Sequence, residues 1–171
     1  MIRHHGPPSV LVLLAAVSAP LLQQDWHVTL RTYGPVRFGM TIRQAARALG
    51  QRLDVDTTES CTYTAPMSFP PGVSFMVIDG HIARIDVDTT GVQTRSGAHV
   101  GSTEDEVKHL YSGQIRVEPH PYTGPEGHYL VYTPRDPADT TFGMIFETDG
   151  LIVTRYRSGE HAAVEYIEGC S

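Results

Sequence analysis

One pattern occurs twice in this chain. Phe38-Gly39-Met40-Thr41-Ile42-Arg43-Gln44-Ala45-Ala46-Arg47-Ala48-Leu49-Gly50 is echoed by Val100-Gly101-Ser102-Thr103-Glu104-Asp105-Glu106-Val107-Lys108-His109-Leu110-Tyr111, with Gly113 close behind. In each copy a glycine turn precedes a threonine, Thr41 or Thr103, whose hydroxyl caps a helix. Three residues later Gln44 or Glu106 closes a capping box. Ala45, Ala48 and Leu49 in the first copy, and Val107, Leu110 and Tyr111 in the second, fall at the spacing of one apolar face, and a glycine stops each helix. Helices of only about two to three turns do not hold in water by themselves. The echo therefore requires an apolar surface on which both can lie.

Strands supply that surface. Residues 73–78 and 81–87 are apolar runs joined by Asp79-Gly80, a favoured two-residue hairpin turn. Residues 143–147 and 151–157 repeat the arrangement around Asp149-Gly150. Further strands are expected at 114–117, 128–132 and 162–167, with Pro-rich loops at 61–72 and 118–127 and an exposed hairpin tip at 133–140. The crossover at 89–97, rich in Thr and Gly, divides the chain into a first α+β repeat, 34–95, and a second, 96–171. The expected fold class is α+β: two tandem repeats of a short helix and an antiparallel β-meander, with the helices on one face of the sheet.

The Gly-Met-Thr-x-x-Gln-Ala-x-x-x-Leu-Gly helix start followed by a meander resembles the repeat unit of the β-lactamase-inhibitor-protein-like fold. That fold is similar to the fold of the small lipoprotein of the outer-membrane β-barrel assembly machinery. The resemblance spans residues 34–171 as two tandem units and implies a helical layer on an antiparallel sheet. It also implies action by presenting a surface to another protein. Two departures stand out: no lipidated Cys follows the signal, and the inhibitors' contact residues find no counterparts by position. The chain also resembles small exported proteins of Gram-negative bacteria, a likeness that implies no activity.

Residues 1–22 read as a secretory signal peptide. Arg3 supplies the basic start, Val10 to Val17 the apolar stretch, and Ser18 and Ala19 the small residues of a cleavage zone. The stretch is too short to span a bilayer, so the expected location is periplasmic or secreted, after a short N-terminal segment at 23–33. Of the 13 basic and 19 acidic residues, processing removes one basic residue, Arg3, and deepens the net charge of −6. An acidic chain of this kind is not built for nucleic acid, whose affinity comes from Lys and Arg that displace counterions. The two cysteines, Cys61 and Cys170, are expected to form a disulfide in an oxidising compartment, pinning a C-terminal strand.

The segment Glu118-Pro119-His120-Pro121-Tyr122-Thr123-Gly124-Pro125-Glu126-Gly127-His128-Tyr129 contains Glu-x-His twice. One reading gathers Glu118, His120, Glu126 and His128 as a zinc-type metal site or a hydrolase centre. The other treats the segment as a recognition loop for a partner protein. Its prolines reduce the entropy lost on binding, and His120, Tyr122, His128, Tyr129 and Tyr132 supply the contacts. A third reading stacks sugar rings on the tyrosines, as a carbohydrate-binding module. Asp86 with Asp88, and Asp54 with Asp56, alternate with apolar residues as the wet face of a half-buried strand would. His81, His99 and His109 are expected at the surface. There is no Gly-x-Ser-x-Gly, no HExxH and no phosphate-cradling loop, so no catalytic residue and no cofactor is expected.

Overall fold

The computed structural model describes Met1, residues 26–56 and residues 58–170. The expected signal peptide lies outside the described residues apart from Met1. Among the described residues no helix is long and apolar enough to cross a membrane.

Two strands, β1 (Thr32–Tyr33) and β2 (Val36–Arg37), form a small ribbon ahead of helix α1 (Ile42–Leu49). Strands β3 (Cys61–Thr64), β4 (Val73–Ile78) and β5 (His81–Val87) follow. Helix α2 (Glu104–Leu110) then leads into β6 (Ile115–Pro119), β7 (His128–Tyr132), β8 (Phe142–Thr148) and β9 (Val153–Glu160), and a short helix α3 (His161–Val164) comes last. The strands β3 to β9 make one seven-stranded antiparallel sheet in the order β3-β4-β5-β9-β8-β7-β6. The two parts of the chain therefore share a sheet, joined where Val87 pairs with Tyr156 and Arg84 with Gly159.

Both capped helices form as their sequences require. Thr41 accepts from the Gln44 amide and Thr103 from the Glu106 amide, and in each case the side chain three residues on returns a bond to the capping residue's own N–H. Three details differ from expectation. Ala48 and Leu110 are exposed, the inward residues being Ala45 with Ile42 and Leu49 in α1, and Val107 with Glu104 in α2. Helix α2 ends at Tyr111 instead of at a glycine, because the Tyr111 ring turns inward, edge-on to Tyr132, and its hydroxyl donates to Thr94 Oγ1.

The main core lies between the sheet and α1, α2 and the N-terminal segment. Phe75, Ile82, Ile85, Leu130, Phe146 and Tyr156 point into it from the strands. On β5 both Ile82 and Ile85 reach this side because the register shifts by one residue, Met76 opposing Arg84 while Val77 opposes Ile82. Ala83, the extra residue, joins Met76 on the opposite face, a β-bulge that re-aims the side chains around it.

That opposite face is covered by the C-terminal segment. The strand expected at 162–167 does not form, and α3 takes its place on β8, β9 and β5. Two buried arginines account for it. Arg84 Nη1 donates to the carbonyls of Ala163 and Tyr166, and Arg157 Nε donates to that of Val164. Buried guanidinium groups satisfy carbonyls that a strand would have paired in a ladder. The expected layer of helices on one face is thus corrected: α1 and α2 lie on one face, α3 on the other. The expected loop at 61–72 is corrected as well, since it opens with edge strand β3, antiparallel to β4. In the second hairpin the Asp149 carboxylate accepts from the amides of Leu151 and Ile152, so the turn lasts until β9 begins at Val153. Cys61 and Cys170 form the expected disulfide, which ties the edge strand to the tail.

Candidate recognition site

The β6–β7 connection, residues 120–127, is closed at its base by the His120 amide donating to the Gly127 carbonyl at 2.8 Å. The His120 ring folds back toward the sheet, and its side chain is 8 % exposed. Its Nδ1 accepts from the backbone amides of Tyr122 at 3.1 Å and Thr123 at 3.3 Å. The other ring nitrogen, Nε2, must then carry the proton, and it donates to Glu147 Oε2 at 3.2 Å. The imidazole is held edge-on to Tyr129, with ring centroids 4.6 Å apart. A short Pro-rich loop is thereby given one shape by hydrogen bonds to a single side chain.

Behind the loop lies a cavity of about 260 Å³, lined in part by His120, Tyr122, Tyr129, Glu147, Arg155 and Ile167. At its floor the buried Glu147 carboxylate accepts a hydrogen bond from Arg157 Nη1 and forms a longer ion pair with Arg155 Nε at 3.7 Å. The Arg157 guanidinium lies 5.3 Å above the Tyr129 ring. Burial, together with the Glu147 charge, pushes the Tyr129 hydroxyl above its usual value although Arg157 acts in the other direction, so this phenol stays protonated at neutral pH. Arg157 Nη2 and Tyr129 Oη are both buried beneath the loop, where the guanidinium is the phenol's polar neighbour. At the rim, Tyr122 Oη donates to Glu168 Oε1 at 2.7 Å, joining loop to tail, and Tyr122, Tyr166 and Ile167 are exposed.

Of the five residues expected to meet a partner, His120, Tyr122 and Tyr129 converge here. His128 and Tyr132 do not, because alternation along β7 sends them to the α2 side of the sheet. His128 Nδ1 lies 2.7 Å from Glu104 Oε1, which also accepts from Thr148 Oγ1 at 2.6 Å. Tyr132 Oη accepts from Gln114 Nε2. The four residues of the metal reading are likewise dispersed: Glu118 pairs with Arg116, His120 with Glu147, His128 with Glu104, and Glu126 is exposed. Among the described residues no three His, Cys, Asp or Glu side chains are gathered to hold a metal ion. Asp86 is mostly buried against Arg84, and burial raises its carboxyl above the ordinary range despite that partner. Asp88 lies beyond the end of β5 and is exposed, and Asp54 and Asp56 belong to no strand.

Glu147, Arg155 and Arg157 were not among the residues singled out from the sequence. Their signal is faint but present: one carboxylate ends the apolar run Gly143-Met144-Ile145-Phe146, and two arginines stand two residues apart on the paired strand, Glu147 facing Arg155. No protein-family model, curated protein or solved structure matches this chain.

Proposed function

We propose that this chain is an exported binding domain that recognises another protein, of the envelope or the secreted milieu, through loop 120–127 and the cavity behind it. Blocking an enzyme's surface is one form such recognition takes. The observation that carries the reading is the anchoring of the loop on His120, whose ring accepts two loop amides while its own N–H is fixed by Glu147. A loop already held in shape loses little entropy when it docks, which removes one of the costs of association. Tyr122 at the rim adds amphipathic contact area, and the mixed charge of Glu147 and Arg155 adds orientation. The two capped helices, each followed by an antiparallel meander, are consistent with two units of the inhibitor-like repeat, although the second carries one strand more than the first.

The test is affinity capture on the immobilised, oxidised chain from an envelope extract, beside a Tyr122→Ala, Arg155→Ala double variant. Both positions are exposed, so the fold should persist. One dominant protein retained by the parent and lost from the variant is the expected result. Equal retention by both, or no specific retention, would remove the reading.

A further inference from the structure

A second cavity, of about 390 Å³, opens on the other side of the molecule, between the N-terminal segment and the β7–β8 end of the sheet. Its interior is apolar: Val28, Leu30, Tyr111, Tyr132 and Met144 line it. Its rim is cationic, with Arg31, Arg37 and Arg95 all at the edge. That grouping runs against the chain as a whole, whose net charge is −6. The only carboxylate in the lining is Asp139, and Arg31 occupies it through Nε at 2.7 Å while its Nη2 donates to the Ala138 carbonyl. The Arg31 guanidinium also lies 4.8 Å over the Phe142 ring, so this side chain is already committed to contacts within the protein. Arg37 and Arg95 are different. Both are exposed, and among the described residues neither side chain has a hydrogen bond or ion pair.

We propose that this cavity binds a small amphiphilic anion, an aliphatic carboxylate whose chain lies against Leu30, Tyr132 and Met144 and whose head group is held by Arg37 and Arg95. The volume falls in the range of small-molecule sites, about 300–1,000 Å³, which are typically apolar with a few convergent polar groups. A guanidinium presents paired donors that match a carboxylate, and its weak hydration lowers the cost of forming that pair. An uncharged apolar ligand would leave both cations unused, and a simple inorganic anion would leave the apolar wall unused. The ligand that satisfies both halves carries one charge at one end. This site lies on the α2 side of the sheet and does not depend on loop 120–127.

Decanoate below its micelle concentration is the probe, with decanol as its uncharged counterpart. The readout is the methyl resonance of Met144 in the oxidised full chain, with Met76, buried on the opposite face, as internal control. Decanoate should shift Met144 saturably and leave Met76 in place. An Arg37→Gln, Arg95→Gln variant should bind it at least about tenfold more weakly, the loss of a charge-assisted contact. Decanol should bind the parent as weakly as decanoate binds the variant. The proposal is overturned if Met144 does not move, if Met76 moves equally, if decanol matches decanoate on the parent, or if the variant binds undiminished.

Discussion

Glu104 opens α2, where a carboxylate faces the positive end of a helix, yet it is buried. Burial works to raise its carboxyl, but hydrogen bonds from Thr148, His128 and Lys108 outweigh that effect and hold it below the ordinary value. A depressed folded value means that the carboxylate contributes stability above the unfolded value, about pH 4.3, and that the contribution fades as pH falls through the lower folded value. Glu104→Gln should therefore destabilise the protein by about 1–3 kcal/mol at neutral pH. Urea unfolding from pH 7 down to pH 3 checks this: the gap between variant and parent should close on acidification, and a gap that persists unchanged would show that shape, not charge, matters at this position. At this scale the sequence disclosed which residues carry unusual chemistry more readily than whom they meet. His120 and His128 were both visible as candidates. Their partners, Glu147 and Glu104, lie 27 and 24 residues away in the chain, and no local spacing connects them.

Among the elements, the join between β5 and β9 depends on a residue that contributes no side chain. A Cβ placed on Gly159 would stand 2.3 Å from the Ala83 carbonyl oxygen and 2.5 Å from Arg84 Cα. Backbone atoms cannot give way as the end of a side chain can, so Gly159→Ala should cost about 1–3 kcal/mol or more. The measurement is the midpoint of thermal unfolding followed by far-UV dichroism, and an unchanged midpoint would mean that the strands separate there without penalty. The capped helices and both Asp-Gly hairpins were legible because each is encoded within a few residues: a hydroxyl three positions before its glutamine or glutamate, a turn pair between apolar runs. Residues 162–167 were not. Ala162-Ala163-Val164 suits either strand or helix, and the choice is made by Arg157, seven residues before Val164 on the preceding strand, together with Arg84, which reaches the Ala163 carbonyl from 79 residues earlier in the chain. Strand β3 was hidden for a similar reason: its four residues are too short a run to show alternation, and pairing with β4 defines them.

For the molecule as a whole, the Cys61–Cys170 bond closes a span of 109 residues that includes α2, α3 and every strand from β3 to β9 but leaves α1 outside it. Cross-linking so long a loop restricts the unfolded chain, and the Cys61→Ser, Cys170→Ser double variant should lose about 3–5 kcal/mol. Urea denaturation of the parent with and without reductant, beside the variant, checks this. The reduced parent and the variant should agree, and no loss in either would mean that the tail is held by the Arg84 and Arg157 contacts alone. The sequence by itself determined the capped helices, the hairpins, the α+β class and the cysteine pairing, since each follows from residue types at short range or from there being only two thiols to join. Only the tertiary structure decided that the strands form one sheet meeting at β5 and β9, that α3 replaces a strand, and that His120, Tyr129, Glu147 and Arg155 line one cavity. Those outcomes depend on which side of the sheet each residue faces once the β5 bulge has shifted the alternation, and on hydrogen bonds between residues distant in the chain. Such bonds form only after the fold has brought their partners together.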